Sequence, residues 1–435
     1  MANGSLIFVL ILIALGVLFI IYFWPSVALM IFFAIPMIKV TVVMRFPFLV
    51  HMVGYILDVG MLLIALLSIV VYHWRIKQPV RILIPKLFWL CWFVLSILIW
   101  VRLPASRDYV TGFQRGMLFS VYDTLIILLG ALYCNSFQAV DKMMKAFLLS
   151  GTVCIFGILF FGRPAGGYEA SRLMFANAPS LAISDFIGYG IFVLLTFWLA
   201  KRKFSLTKLL IPFVAFGVLA IFLTGTRGTI LGLVVSSFFI LYAYRKNQGI
   251  MTIIGGLVLV VVIGVVANFF LTTKSQAERF STEIIRNDVL IRVDMVKSTL
   301  SEWLKSPVFG TGTGDTSFQL TGTTGERQYP HNIYLELLNE LGIVGFVFYV
   351  ILLAHSFRVI KMAVSYQLDN VIPREFLVVI TAGLIYQLLL SAKGGSYIGG
   401  DLYFFLGAGV SFVEMARRQL VEREMYDYES TDLQE

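Results

Sequence analysis

The chain has 435 residues, 59% hydrophobic and only 14% charged, with a net charge of +9 and a mean hydropathy of +0.88. Soluble chains carry about a quarter charged residues, so this composition excludes a soluble globular fold. The apolar runs lack the every-second-residue alternation of a membrane barrel, and the basic residues sit in short loops rather than on one basic face, which excludes a nucleic-acid-binding module.

Apolar runs suited to membrane-spanning helices lie at about 5–23, 26–43, 51–72, 84–101, 116–134, 144–161, 181–200, 207–223, 228–244, 250–271, 331–357, 375–393 and 400–416. The first two are joined only by Trp24 and Pro25, which leaves the count at about 12 or 13 spans and the side of the N-terminus open. The start of the chain lacks the basic region and small-residue cleavage site of a secretory signal, so the first run is read as a retained helix. The expected fold is all-α, a polytopic transmembrane helix bundle. It divides into a bundle over 1–271, a large loop over 272–330, C-terminal helices over 331–416 and a solvated tail over 417–435.

Basic loops fix the orientation. Arg75, Lys77, Arg81 and Lys86 cluster, as do Lys201, Arg202, Lys203 and Lys208, then Arg245 with Lys246, then Arg358, Lys361 and Arg374. By the positive-inside bias these face the cytoplasm. The links 102–115, 162–180, 224–227, 272–330 and 391–400 then lie outside. Cys91, Cys134 and Cys154 form no C-x-x-C pair and indicate neither a disulfide framework nor zinc. Asp58 and Asp123 lie within apolar segments and are expected to pair inside the bundle, with no catalytic role.

The loop at 272–330 is the one long polar interruption. Val289, Val293, Val296, Leu300 and Trp303 recur at helical spacing and predict an amphipathic helix over about 286–305. Pro307 ends it, and Gly310, Gly312 and Gly314 read as a flexible link. The loop holds seven Lys or Arg and seven Asp or Glu, so it is no general anion blanket, and individual arginines matter.

His331 opens the helix after Pro330. An imidazole there can serve as a general base near neutral pH, or simply bond nearby backbone. Asn332, Glu336 and Glu340 form a polar stripe on the same helix, suited to a wet cavity or to interhelical hydrogen bonds. Arg227, in Thr-Gly-Thr-Arg-Gly-Thr between two apolar runs, offers a guanidinium fork at the membrane surface. That fork suits a phosphate or diphosphate; the alternative is snorkelling to lipid headgroups. Arg172 and Arg292 are outer-side positive charges, against the usual bias, although Arg292 can also pair with Asp288. Lys393 at an outer helix end can line the same cavity. No compact His, Cys and carboxylate cluster suggests a metal site, and no βαβ unit surrounds the Gly310–Gly314 stretch to make a dinucleotide fingerprint.

Together these residues resemble a known family. Arg292, then Pro307-Val-Phe-Gly-Thr-Gly, then Pro330-His-Asn-Ile-Tyr-Leu-Glu leading to Glu340-Leu-Gly-Ile-Val-Gly345 is similar to the signature region of the O-antigen ligase and Wzy-type O-antigen polymerase family. Thr226-Arg-Gly resembles that family's helix junction. Arg172 followed by Ala176-Asn-Ala-Pro179 resembles its Arg-to-Pro-Asn loop with the Asn and Pro in a different order. The resemblance spans roughly 165–345.

The resemblance implies a bacterial inner-membrane glycosyltransferase acting on the periplasmic face. Such proteins move a glycan from a polyprenyl carrier, undecaprenyl diphosphate, to an acceptor hydroxyl. The acceptor is lipid A core in ligases and a second carrier-linked glycan in polymerases. No cofactor or metal is implied. Arg172, Arg227 and Arg292 would hold the diphosphate, with Arg227 also catalytic. His331 would take the proton in an inverting displacement, supported by Asn332, Glu336 and Lys393. The competing class is a polyprenyl-lipid or polysaccharide flippase that makes no bond.

Overall fold

The computed structural model describes residues 15–34, 50–164, 173–175, 180–200, 210–246, 249, 282–316, 332–365, 372–394, 396–398 and 400–432. In chain order these form α1 (Leu15–Phe23), α2 (Pro25–Phe33), α3 (Val50–Arg75), α4 (Lys86–Arg102), α5 (Tyr109–Tyr133) and α6 (Phe137–Phe161). A short antiparallel hairpin, β1 (Arg163–Pro164) with β2 (Leu173–Met174), follows. Then come α7 (Ser180–Leu199), α8 (Leu210–Thr224), α9 (Arg227–Lys246), α10 (Thr282–Trp303), α11 (Ile333–Val364), α12 (Arg374–Lys393) and α13 (Gly400–Asp432). Among the described residues eight helices are long and apolar enough to cross a membrane, or nine if the bent pair α1–α2 counts as one span. The chain is an all-α, multi-pass membrane protein. The expected run at 250–271, half of that at 26–43 and residues 5–14 of that at 5–23 lie outside the described residues.

Several boundaries differ from those read off the apolar runs. The junction at Trp24 is a 114° corner between α1 and α2, and Pro25 opens α2, where its missing N–H costs nothing. α5 begins at Tyr109 rather than 116, because Asp108 caps it by accepting from the Thr111 N–H at 3.1 Å. Arg115 is therefore a helix residue and not part of a loop. α6 begins at Phe137 rather than 144, capped by Ser136, which accepts from the Ala139 N–H. α13 continues past 416 to Asp432, with Glu414 and Arg418 paired one turn apart at 3.3 Å.

The contacts gather the chain into two compact units. The first comprises Met1–Ile82, Leu132–Thr229 and Tyr244–Val266; the second comprises Leu83–Ala131, Ile230–Ala243 and Ala267–Glu435. In the first, α6 and α7 pack closely because Gly151 lets them: a Cβ there would meet the Phe186 carbonyl oxygen at 2.9 Å. Small residues are the usual means of close helix approach where lipid supplies no hydrophobic drive. Phe33, Phe147, Phe186 and Tyr189 fill the space beside this contact, with centroids 5.2–6.4 Å apart. Buried Tyr133 donates to the Pro25 carbonyl at 2.6 Å, tying the end of α5 to the start of α2.

In the second unit Gly130 and Gly407 do the same for α5 and α13, each facing a backbone carbonyl that a Cβ would meet at 2.2 Å. Trp92 stacks on Phe119 at 4.2 Å and donates to Thr124 at 2.8 Å. Phe119 and Asp123 lie buried in a π-helical stretch, Leu118–Asp123, inside α5. Arg374 is also buried. It donates to the carbonyls of Ala243 at 2.9 Å and of Ala363 and Val364 at 3.3 Å, closing the end of α11.

α11 is broken at Gly342, where φ is 66° and ψ is −168°. A break at membrane depth frees backbone groups that lipid cannot satisfy. The segment after α10 supplies their partners. Thr311 and Gly312 donate their N–H groups to the carbonyls of Asn339 (2.8 Å) and Glu340 (3.2 Å). In return the N–H groups of Ile343 and Val344 donate to the carbonyls of Pro307 (3.0 Å) and Val308 (3.3 Å). Gly310, Gly312 and Gly314 all have positive φ and pack against backbone. They are the fixed half of a clasp, which corrects their reading as a flexible link; the left-handed geometry that only glycine adopts cheaply looks the same in sequence as a hinge.

Gly342→Ala is expected to strain this clasp. Its Cβ would meet the Val308 carbonyl oxygen at 2.3 Å, and the positive φ adds about 1–3 kcal/mol. Thermal unfolding in detergent should show a clearly lower midpoint, and an unchanged midpoint would mean that the break can be accommodated elsewhere.

Candidate functional site

Glu336 and Glu340 lie one turn apart on α11, and both are wholly buried. Arg115 of α5 reaches between them. Its Nη1 donates to Glu336 Oε1 and, at 2.8 Å, to Glu340 Oε1. Each carboxylate is also fixed by other donors. Glu336 accepts from the Ser396 hydroxyl at 2.9 Å and the Tyr397 N–H at 3.0 Å. Glu340 accepts from the Tyr397 hydroxyl at 2.7 Å, the Gly314 N–H at 2.8 Å and the Thr316 N–H at 3.3 Å. Burial first, and then the Glu340 charge, push the Tyr397 phenol well above its ordinary range, so it stays a donor. Charged groups this deep persist only when paired and hydrogen-bonded, and these are. The polar stripe thus points to neighbouring elements, the second of the two roles open to it from sequence.

At the start of α11, Asn332 is the N-cap and accepts from the N–H groups of Tyr334 and Leu335 at 3.0 and 3.1 Å. Its Nδ2 donates to the Ala392 carbonyl at 2.8 Å. Arg292, exposed on α10, donates through Nη1 to the Lys393 carbonyl at 2.8 Å. Two donors therefore meet the C-terminal carbonyls of α12, where the helix dipole is negative. The side chain of Asp288, the other partner open to Arg292 from sequence, lies outside the described ones. α10 spans Thr282–Trp303 where the periodicity predicts a helix over about 286–305, so it starts about a turn earlier and ends two residues sooner. Its face is unevenly used, with Val289 52% and Val293 40% exposed while Thr299 is buried. Four of the sequence candidates, Arg292, Asn332, Glu336 and Lys393, are thus linked through α11, the end of α12 and the turn after it.

Arg227 belongs to the first unit and is positioned by its own network. Gly225 turns the chain with φ 67°. The hydroxyls of Ser184, Thr224 and Thr226 bond one another at 2.7–3.0 Å, all buried. They pin the α8–α9 turn to α7, so half-buried Arg227 stands at the first turn of α9 on a fixed backbone. Small residues around Arg227 were legible; Ser184 as their partner was not. His331 lies outside the described residues, as does Arg172, whose next residue Leu173 starts β2.

The sequence reading missed Arg115, Ser396 and Tyr397. Arg115 was counted with a loop because Thr111, Gln114 and Arg115 interrupt the apolar pattern at the start of α5. Among the described residues no group of three or more His, Cys, Asp or Glu side chains could hold a metal ion.

Residues 212–350 match the model of the Wzy_C family, described as O-antigen ligase. The match contains Arg227, Arg292, His331, Asn332, Glu336 and Glu340, and the clasp from Pro307 to Val344. Arg115, Arg172, Lys393, Ser396 and Tyr397 fall outside it. No curated protein gives a significant match to the chain. Within a multi-pass membrane bundle, then, the chain carries over residues 212–350 a stretch similar to the O-antigen ligase family.

Proposed function

We propose that the chain transfers a glycan from a polyprenyl diphosphate, the undecaprenyl carrier of the bacterial inner membrane, to an acceptor hydroxyl at the periplasmic face. The observation that carries this is the O-antigen ligase match, within which Arg227, Arg292 and His331 all fall. His331 takes the proton from the attacking hydroxyl as the new bond forms at the anomeric carbon. The bond to the diphosphate breaks on the opposite side, so the configuration inverts. Arg172, Arg227 and Arg292 neutralise the departing diphosphate, a role that needs no metal or other cofactor. Arg227 suits it by standing on a hydroxyl-pinned turn at a helix N-terminus, where the backbone also favours anions. Asn332, Glu336 and Lys393 support the His331 side by fixing the start of α11 against the end of α12.

The acceptor is read by incubating purified protein, in chelator-treated buffer, with carrier-linked glycan alone and then with lipid A core added. Growth of the glycan on the carrier alone identifies a polymerase; product only after core is added identifies a ligase. Movement of the carrier lipid across a vesicle membrane with no new glycosidic bond would overturn the transferase reading in favour of a flippase.

A further inference from the structure

We propose that Arg115 is a positioning residue for the transfer site, holding the start of α11 and the turn after α12 in working register without touching substrate. The proposal rests on the glycan-transfer reading. Arg115 is 14% exposed and both its carboxylate partners are sealed, so none of the three is placed to contact a sugar or a diphosphate. Their value lies in what else they hold.

Glu336 is one helical turn from the Asn332 cap, and its second oxygen anchors Ser396 and the Tyr397 N–H. That anchor fixes the chain three residues beyond Lys393, whose carbonyl receives Arg292. Glu340, through Gly314 and Thr316, fixes the end of the clasp that follows α10, the helix carrying Arg292. Asn339 adds a 3.0 Å bond to the Thr316 hydroxyl. One guanidinium thus ties together three segments that meet at Arg292, Asn332 and Lys393. Without it, two carboxylates one turn apart on the same face repel each other, and the segments bonded to them shift.

Arg115→Lys tests this, because a lysine keeps the charge but, on a more flexible stem, lacks the rigid planar guanidinium that holds one nitrogen between the two carboxylates. Turnover per folded molecule is expected to fall by about 100-fold, the size of an ångström-scale misplacement. The thermal midpoint should change little. Tyr397→Phe, which removes one bond to Glu340, should give a smaller loss of the same kind. Hydrogen exchange supplies a readout independent of activity: the amides of Gly314, Thr316 and Tyr397 should exchange faster in Arg115→Lys. Unchanged exchange, or faster exchange with wild-type turnover, overturns the positioning role. A wild-type protein that transfers no glycan overturns the proposed function instead, while the exchange data still report on Arg115.

Discussion

Arg115→Ala is expected to leave little folded protein. The substitution removes the cation from between two buried carboxylates, and stranding a buried charge in this way costs about 3–5 kcal/mol. Native proteins hold only about 5–15 kcal/mol in reserve. Glu336 and Glu340 have no exposure to water that could absorb the loss. The measurement is the monodisperse fraction on size exclusion in detergent, together with the thermal midpoint. Restoring neutrality should recover much of the loss: Arg115→Met combined with Glu336→Gln and Glu340→Gln keeps the size of the side chains and leaves hydrogen-bonding groups for Ser396, Tyr397 and Gly314. Recovery of folding by this triple variant, without recovery of transfer, is the expected pattern. A single Arg115→Ala protein as stable as wild type would mean that the carboxylates take up protons at little cost, and the ion cluster would lose its structural standing.

The second large effect concerns chemistry and not folding. His331→Ala should lower transfer by about 100- to 10,000-fold, the range a general base contributes. Arg227→Ala should match or exceed it, since a charge-assisted fork to a diphosphate is lost where charge develops. Both proteins are expected to remain folded, with the turn before Arg227 still pinned by the Ser184, Thr224 and Thr226 hydroxyls. The assay is single-turnover transfer from a carrier-linked glycan, with the folded fraction measured in parallel. Full transfer by His331→Ala would remove the base from the mechanism, and full transfer by Arg227→Ala would reduce that arginine to a headgroup contact.

The helical bundle was legible because a membrane demands long apolar runs, and long apolar runs are what composition shows best. Arg227 and the Glu336–Glu340 stripe were legible for a related reason: a polar residue stands out where almost every neighbour is apolar. What the stripe touches was not. Arg115 is 221 residues from Glu336, and its helix starts with polar residues that masked it as a loop. Ser396 and Tyr397 sit in a short link with no periodicity. The glycines of the clasp were read as hinge residues because positive φ leaves no mark on sequence; their meaning depends on the break at Gly342, which also looks like an ordinary small residue in an apolar helix.

That break has a consequence for how the protein is made. Thr311 is 28 residues ahead of Asn339, so the ribosome delivers the clasp before the helix segment it must satisfy. When α11 leaves the insertion machinery, the partners for its freed backbone groups have already been synthesised, close by along the chain. The broken helix therefore never has to wait in lipid for a distant segment, and chains fold N-terminal parts first. Biogenesis of the C-terminal membrane region then depends on a local closure step. Lesions in Pro307–Gly312 should surface as failed insertion of the helices that follow, well before any substrate is met.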